Sequence, residues 1–370
     1  MTNTYAKDSQ RSLRLMSLDA FRGFTMFLLI AEFAGLFHYL IEPNFDGTII
    51  GFIGEQLHHH KWHGLHFWDL VQPYFMFIVG VAIPFSERNR IRKGQTDKKV
   101  LRHALIRSAL MLFLGWALYC ITPGKIVYRF QNVLAQLAVT YLVAFLLRNK
   151  SIKLQFLVSL VFIAISELLY RTFSIPGYNQ PFVADHNFGA WFDMLISGEL
   201  SGGHWVSFNA IPTTAHTIWG VILGKTLLSG KSKNEILKIM IVSGALGLIV
   251  GYGLDSVTPI IKRISTSSFV FVSGGWTLLT FAFFYWIIDM KNFRKWAKFA
   301  VVVGVNPLFI YLFAHVGGGK FIAHILKPFV FGIFDWLGEL NTNIILGILT
   351  WYFLWYITYW LDKRNIYIRI

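Results

Sequence analysis

Long apolar stretches recur along the entire chain, and they constrain its fold more than any other feature. Of its 370 residues, 55% are hydrophobic and 14% are charged, whereas a typical soluble domain carries about 25% charged residues. Every backbone polar group in a bilayer must be satisfied internally, and a helix of about 20 apolar residues meets that requirement. The sequence therefore predicts an all-α, polytopic helical membrane protein rather than a soluble domain with one anchor.

Hydropathy predicts about ten membrane-spanning helices in a single integral-membrane domain, 1–370, that begins with a cytoplasmic tail, 1–16. The predicted spans are 17–40, 67–86, 104–121, 131–148, 154–171, 209–229, 239–254, 269–289, 299–317 and 342–361. The segment 320–340 is amphipathic and contains Pro328, so it is more typical of an interfacial or re-entrant helix than of an eleventh span.

Basic residues are distributed unevenly between the two sides of this arrangement. With the N-terminus inside, most of the 34 Lys and Arg residues fall on inner segments, as the positive-inside rule requires. We therefore expect both termini to be cytoplasmic. The same asymmetry accounts for the net charge of +15, so no nucleic acid partner is expected. The first apolar segment lacks a small-residue cleavage site, which favours a span over a removed signal peptide.

Five histidines precede the second predicted span and an aspartate lies at its start, in the sequence HHHKWHGLHFWDL (58–70). Imidazoles titrate near neutrality and are natural general bases, and a neighbouring carboxylate fixes their tautomer. Asp69 and these histidines are predicted to lie at the outer end of the span. A solvated loop is the alternative interpretation. A metal site has no support from regular ligand spacing such as HExxH, so no metal is expected.

The first predicted span carries three charged residues. Asp19 and Arg22 are three residues apart and share a helix face. Glu32 follows Arg22 by ten residues, or about 15 Å along a helix, which puts it in the outer half of the membrane with the histidines. Ionisable residues there are functional candidates by default. Glu32, His59 and Asp69 are thus the predicted acid–base cluster, although structural pairing is the alternative for each charged group of the span.

Further polar side chains gather at the ends of the predicted spans, in numbers that favour a hydrated cavity over helix packing alone. They include Arg129, Asn132, Gln136, Asn209, Thr213, Thr214, His216, Asp255, Lys262 and Asn306. The outer segment 172–208 is either a lid or a connecting loop. The basic inner segment 88–107 serves mainly as an orientation signal, and it could also hold a phosphorylated ligand.

The chain resembles the heparan-α-glucosaminide N-acetyltransferase family and its bacterial relatives, a branch of the transmembrane acyltransferases. The motifs that carry the resemblance are SLDAFRGFT (17–25), HHHKWHGLHFWDLVQPYFMFIVGVAIPF (58–85), RFQNVLAQLAVTY (129–141), DSVTPIIKRISTSSFVFVSGGW (255–276) and VGVNPLFIYL (303–312). The resemblance implies transfer of an acetyl group from cytosolic acetyl-CoA to a sugar amine across the membrane. It also implies a bacterial inner-membrane location.

The resemblance assigns roles to individual residues. The family's catalytic histidine corresponds to His59, and its following aspartate to Asp69. We expect acetyl-CoA to contact Asp19, Arg22 and Asn306, and the acceptor to contact Trp62, Arg129, Gln136, Lys262 and Trp276. The chain departs from the family late in the first helix, where Glu32-Phe33 replaces a common Asn. An acid at this position would alter the pocket and its acceptor.

The leading hypothesis is therefore an acyl-CoA-dependent transmembrane acyltransferase with His59 as general base or acyl carrier. Its partners would be the bilayer and a small-molecule or glycan acceptor, and a homodimer is left open. The rival hypothesis is a proton-coupled transporter of an amino sugar such as N-acetylglucosamine, with Glu32 and the histidines as coupling groups. A structural role in envelope assembly is a third alternative.

Overall fold

The computed structural model describes residues 15–368, which form helices and no strands. The predicted all-α class is confirmed, while nearly all of the predicted tail 1–16 lies outside the described residues. The helices are α1 Met16–Phe33, α2 Leu36–Tyr39, α3 Ile49–Gln56, α4 Val71–Arg92, α5 Asp97–Ile121, α6 Val133–Leu147, α7 Ile152–Thr172, α8 Phe188–Ser197, α9 Ala210–Leu227, α10 Lys233–Leu254, α11 Ser267–Phe284, α12 Ala297–Val305, α13 Pro307–His315, α14 Gly318–Phe334 and α15 Glu339–Lys363. A 3₁₀ turn, Phe67–Leu70, leads into α4, and a π-helical turn, Tyr285–Met290, extends α11.

Six helical segments among the described residues are long and apolar enough to cross a membrane. A seventh is added if α12 and α13, which are bent by 72° where they meet, form one span. The predicted count of about ten spans is therefore not confirmed. Helices do occupy the other predicted positions, but α6 has only 15 residues and α1 contains three charged residues. The segment 320–340 largely forms α14, with Pro328 inside it.

The helices that look too polar for a span are enclosed by protein. Helix α9 carries Thr213, Thr214 and His216, all fully or almost fully buried, and it packs against α4, α6, α7 and α11. Helix α10 instead exposes large apolar side chains such as Leu246 and Ile249. Because α9 is surrounded by other helices, its side chains can be polar where those of a lipid-facing helix cannot.

Helices α4 and α9 approach closely through glycine. A Cβ atom on Gly80 would lie 2.1 Å from the Thr217 carbonyl oxygen, and one on Gly220 would lie 2.3 Å from the Phe77 carbonyl oxygen. Small residues allow such backbone approach between membrane helices. This contact fixes α4, and with it the turn that carries Asp69, against the centre of the bundle.

Two loops far apart in sequence are joined at one end of the bundle. The Gly64 amide donates to the Ile260 carbonyl over 2.9 Å. The Asp255 carboxylate accepts from the Ile260 amide and contacts His63 Nε2 at 2.9 Å. These contacts align the histidine-rich loop with the loop that carries Lys262.

The first helix and the C-terminal segment meet at one end of the bundle. Arg22 Nε donates to the Gly304 carbonyl over 2.8 Å. Two residues further along the chain, the Asn306 side chain donates to the Ile366 carbonyl and accepts from the Ile368 amide. The start of α1 and residues 366–368 therefore both lie next to the junction of α12 and α13. That the two termini lie on one side of the membrane, in the cytoplasm, stays a prediction.

Candidate functional site

A cavity of about 400 Å³ runs through the interior of the bundle. Arg22 and Arg107 line one end, and His59, Lys262 and Glu32 line the other. The ten residues from Arg22 to Glu32 on α1 separate these ends by about 15 Å. The cavity is therefore elongated. Cationic groups line the end near the start of α1, and acid–base groups line the end near the histidine-rich loop; following the predicted orientation, these are called the inner and the outer end.

Asp69 fixes the orientation of His59 at the outer end. His59 Nδ1 lies 2.9 Å from Asp69 Oδ1, and Asp69 is only 1% exposed. The other carboxylate oxygen accepts from the backbone amides of His66 and His60. A carboxylate only accepts, so the hydrogen bond to Asp69 places the proton of the neutral imidazole on Nδ1, and the nearby Lys262 ammonium, which only donates, pairs with Asp69 instead. His59 Nε2 then has a lone pair, and it makes no hydrogen bond to any described residue.

Lys262 completes a compact group with this pair. Its Nζ atom lies 3.1 Å from His59 Nδ1 and 3.8 Å from Asp69 Oδ1, and the residue is 5% exposed. Burial, assisted by the Lys262 charge, lowers the pKa of the loop residue His59 to about 4. Burial likewise lowers the pKa of Lys262 to about 8, although the Asp69 and Glu32 carboxylates oppose this shift. At neutral pH the site therefore holds a neutral imidazole beside a largely charged ammonium group.

Aromatic side chains lie next to His59 and Lys262. The Trp205 ring packs edge to face with His59 at 5.1 Å between centroids. Lys262 and Arg263 lie 5.1 Å and 5.2 Å from the same ring, within the range of cation–π attraction. On the other side, the Trp68 indole neighbours the Glu32 carboxylate. The outer end of the cavity thus presents two indoles, a carboxylate and a free imidazole nitrogen.

A tight turn directs Trp205 into the cavity. His204 has a left-handed backbone with φ of 59°, and its Nδ1 lies 2.6 Å from Asp185 Oδ2. Arg263 donates to the Gly203 carbonyl, and a Cβ on Gly203 would lie 2.8 Å from Trp205 Cδ1. These contacts favour the lid interpretation of the segment 172–208, because its turn covers the outer end.

Two buried amides, Gln72 and Gln136, line the cavity. Gln72 donates to Gln136, which in turn donates to Asn209. The three side chains are buried and belong to α4, α6 and the turn before α9. Gln136, predicted to contact the acceptor, does line the cavity.

Several predicted binding residues lie away from the cavity wall. Arg129 pairs with Glu199 at 2.7 Å. Asn306 is fully buried against the C-terminal segment. Trp62 donates to the Phe182 carbonyl, Trp276 donates to the Tyr252 hydroxyl, and Asp19 pairs with Arg22 at 2.7 Å. The ligand contacts predicted for these residues stay predictions.

Several other residues line the cavity but were not among the site residues predicted from the sequence. They are Gln72, Arg107, Tyr119, Gln131, Trp205, Tyr311 and His315. Gln72, Gln131 and Tyr311 lie in motifs that carry the resemblance, and Arg107 ends the basic segment, so these four had a usable signal. Within residues 15–368, no group of three or more His, Cys, Asp or Glu side chains is arranged to hold a metal ion.

Comparisons with known proteins complete the description of the site. A match to the family model "heparan-alpha-glucosaminide N-acetyltransferase, catalytic" covers residues 14–250, which include His59, Asp69, Glu32 and Gln136. The mouse protein named heparan-alpha-glucosaminide N-acetyltransferase is 30% identical over 148 residues, which are 38% of this chain and 20% of that protein. Its human counterpart is 31% identical over 137 residues, which are 35% of this chain and 18% of that protein. The matched region thus spans about a fifth of the length of these curated relatives. The chain belongs to the heparan-α-glucosaminide N-acetyltransferase catalytic family.

Proposed function

We propose that the protein is a membrane acetyltransferase that moves an acetyl group from cytosolic acetyl-CoA to an amino sugar or glycan on the outer face. One observation carries the proposal: a single cavity joins a cationic inner end to a neutral imidazole at the outer end. A thioester at the end of a long donor could then meet an acceptor that enters from the opposite side. The family membership supports acyl transfer.

His59 is the proposed general base. Its Nε2 atom takes the proton from the acceptor amine or hydroxyl while the acceptor nitrogen or oxygen forms a bond to the acyl carbon. The carbon–sulfur bond of the thioester breaks, and the thiolate takes the proton back from Nε2. Asp69 keeps the other nitrogen protonated and stabilises the transient imidazolium. Because Lys262 is cationic, it offsets the Asp69 charge in this buried setting.

The proposed acceptor site lies between Trp205 and Trp68. Indole faces suit the apolar face of a sugar ring, and a stacked ring would lie next to His59. Glu32, which lines the same end of the cavity, offers carboxyl oxygens that can accept a hydrogen bond from an amine on that sugar. Together these residues make an amino sugar the acceptor class that the site fits best.

The proposed function can be tested by following labelled acetyl transfer from acetyl-CoA to amino-sugar acceptors in proteoliposomes. We expect His59→Ala to lower the rate by about 10²- to 10⁴-fold. His324→Ala is the matched control, because His324 is exposed on α14 and does not line the cavity. A His59→Ala protein that transfers at the wild-type rate would exclude the proposed base. Labelled-sugar uptake without acyl-CoA would instead support transport.

A further inference from the structure

A second, smaller cavity adjoins the inner end of the main one. It has a volume of about 40 Å³, and its polar lining residues are Ser86, Glu87, Arg90, His103 and Arg107. Arg107 lines both cavities. Arg107 can therefore contact a group in either cavity.

Most charged groups around the small cavity already have partners. Arg148 Nε lies 2.6 Å from Glu87 Oε1, so the one lining carboxylate is paired. Arg90 contacts His103 Nε2 at 2.8 Å and Gln95 at 3.2 Å. The remaining lining charges are cationic, which gives the small cavity an excess of positive charge.

Arg107 differs from these groups in its hydrogen bonding. Its Nε atom is buried and has no hydrogen-bond partner within residues 15–368, while its guanidinium group lies 4.9 Å from the Tyr141 ring centroid. A buried donor without an acceptor is unfavourable, and a charged donor more so. An anionic ligand at the junction of the two cavities would supply the missing acceptor.

Arg22, the cation that the sequence favours as a donor contact, is engaged by the protein. Its guanidinium binds Asp19 at 2.7 Å and the Gly304 carbonyl at 2.8 Å. These contacts link α1 to α12, so Arg22 serves helix packing. Of the two arginines at the inner end, Arg107 therefore has the greater unused capacity to bind an anion.

We propose that the small cavity is a phosphate-binding subsite, in which Arg107 binds one phosphoryl group of the acyl donor's nucleotide portion. This inference rests on the proposed function, because that function supplies the donor. A cavity of about 40 Å³ holds on the order of three water molecules, which matches one phosphoryl group and excludes a nucleobase. Arg90 contributes further positive charge, and guanidinium groups match phosphate geometry.

Calorimetry on the purified full-length protein tests this subsite. The two ligands are coenzyme A and pantetheine, which lacks the phosphates but shares the arm that would occupy the main cavity. We expect Arg107→Gln to weaken coenzyme A binding about 10- to 100-fold and to change pantetheine binding less than twofold. Arg102→Gln is the matched control, since Arg102 is exposed on the same helix and lines neither cavity.

The outcomes separate this inference from the proposed function. Wild-type protein that binds coenzyme A, with unchanged affinity in Arg107→Gln, would overturn the subsite and leave the proposed function intact. An equal loss of affinity for both ligands would also overturn the subsite, because it would show that Arg107 supports the fold and does not bind phosphate. Wild-type protein that binds neither ligand would overturn the proposed function itself. Arg107→Lys, which keeps the charge, should retain more coenzyme A affinity than Arg107→Gln.

Discussion

The Lys262 side chain is expected to lose its charge within a pH range in which activity can be measured. Burial lowers the pKa of this residue from 10.5 to about 8, so the ammonium group next to His59 and Asp69 loses its proton above that pH. His59, with a pKa of about 4, remains neutral from well below pH 7 upward. With an acceptor that does not itself titrate in this range, a change in activity between pH 7 and pH 10 should therefore report the Lys262 charge and not the proposed base.

We predict that acetyl transfer declines above pH 8 and falls about tenfold by pH 9, because the fraction of charged Lys262 falls by that factor. Lys262→Arg should extend activity to higher pH, since guanidinium stays charged throughout this range. The measurement is kcat/KM between pH 6 and pH 10. Lys61→Arg, at an exposed position in the histidine-rich loop, should leave the profile unchanged. An acetyl-transfer rate that rises through pH 8 would mean that Lys262 is active as the neutral amine.

The residues of the site differ in how far the sequence could identify them. His59 and Asp69 are ten residues apart, in the loop and the turn that lead into α4, so the local sequence was enough to predict their pairing. Lys262 is 203 residues from His59, and no periodicity connects them. Only the family resemblance assigned Lys262 a role in the site. Arg107 lies in a run of basic residues that the positive-inside rule explains without any ligand, so its buried, unpartnered nitrogen is visible only in three dimensions.

At the scale of single elements, the turn that carries Trp205 is the clearest case of local sequence shaping the site. We predict that Trp205→Ala raises the KM for the acceptor about tenfold, since an aromatic contact contributes about 0.5–1.5 kcal/mol beyond the area it buries. The KM for acetyl-CoA should stay unchanged. Gly203→Ala should have a similar effect, because the added Cβ would displace the Trp205 ring. Trp336→Phe, at an exposed position away from the cavity, is the control, and equal changes in both KM values would argue against an acceptor contact.

The contact between α4 and α9 gives a second prediction at this scale. Gly220→Ala places a Cβ 2.3 Å from the Phe77 carbonyl oxygen, so the helices must separate, at a cost of about 1–3 kcal/mol. We expect a lower melting temperature in detergent. Gly253→Ala is the matched control, because its Cβ would meet open space on α10. Equal melting temperatures for the two variants would show that α4 and α9 can separate without loss.

Across the whole molecule, burial decides which apolar segments resemble membrane spans. The most apolar 18-residue window within Phe67–Arg92 is 72% buried, whereas those within α5, α7 and α10 are each 22% buried. Hydropathy detects the lipid-facing helices readily. It cannot distinguish a polar helix enclosed by protein, such as α9, from one that would be unstable in lipid. The all-α class was therefore predictable from the sequence, while the number of spans required the packing.

The proposed transfer across the membrane requires the histidine-rich loop and the basic segment to face opposite sides. In a Cys120→Ser background, which removes the one native cysteine, Lys61→Cys and Lys93→Cys place single thiols at two exposed positions. We predict that an impermeant maleimide labels Lys61→Cys in intact cells, and Lys93→Cys only after permeabilisation, as the positive-inside rule requires. The reverse pattern would put His59 on the cytoplasmic side. Labelling of both from outside would mean that α4 does not cross the membrane, and either result would remove the basis for transfer between compartments.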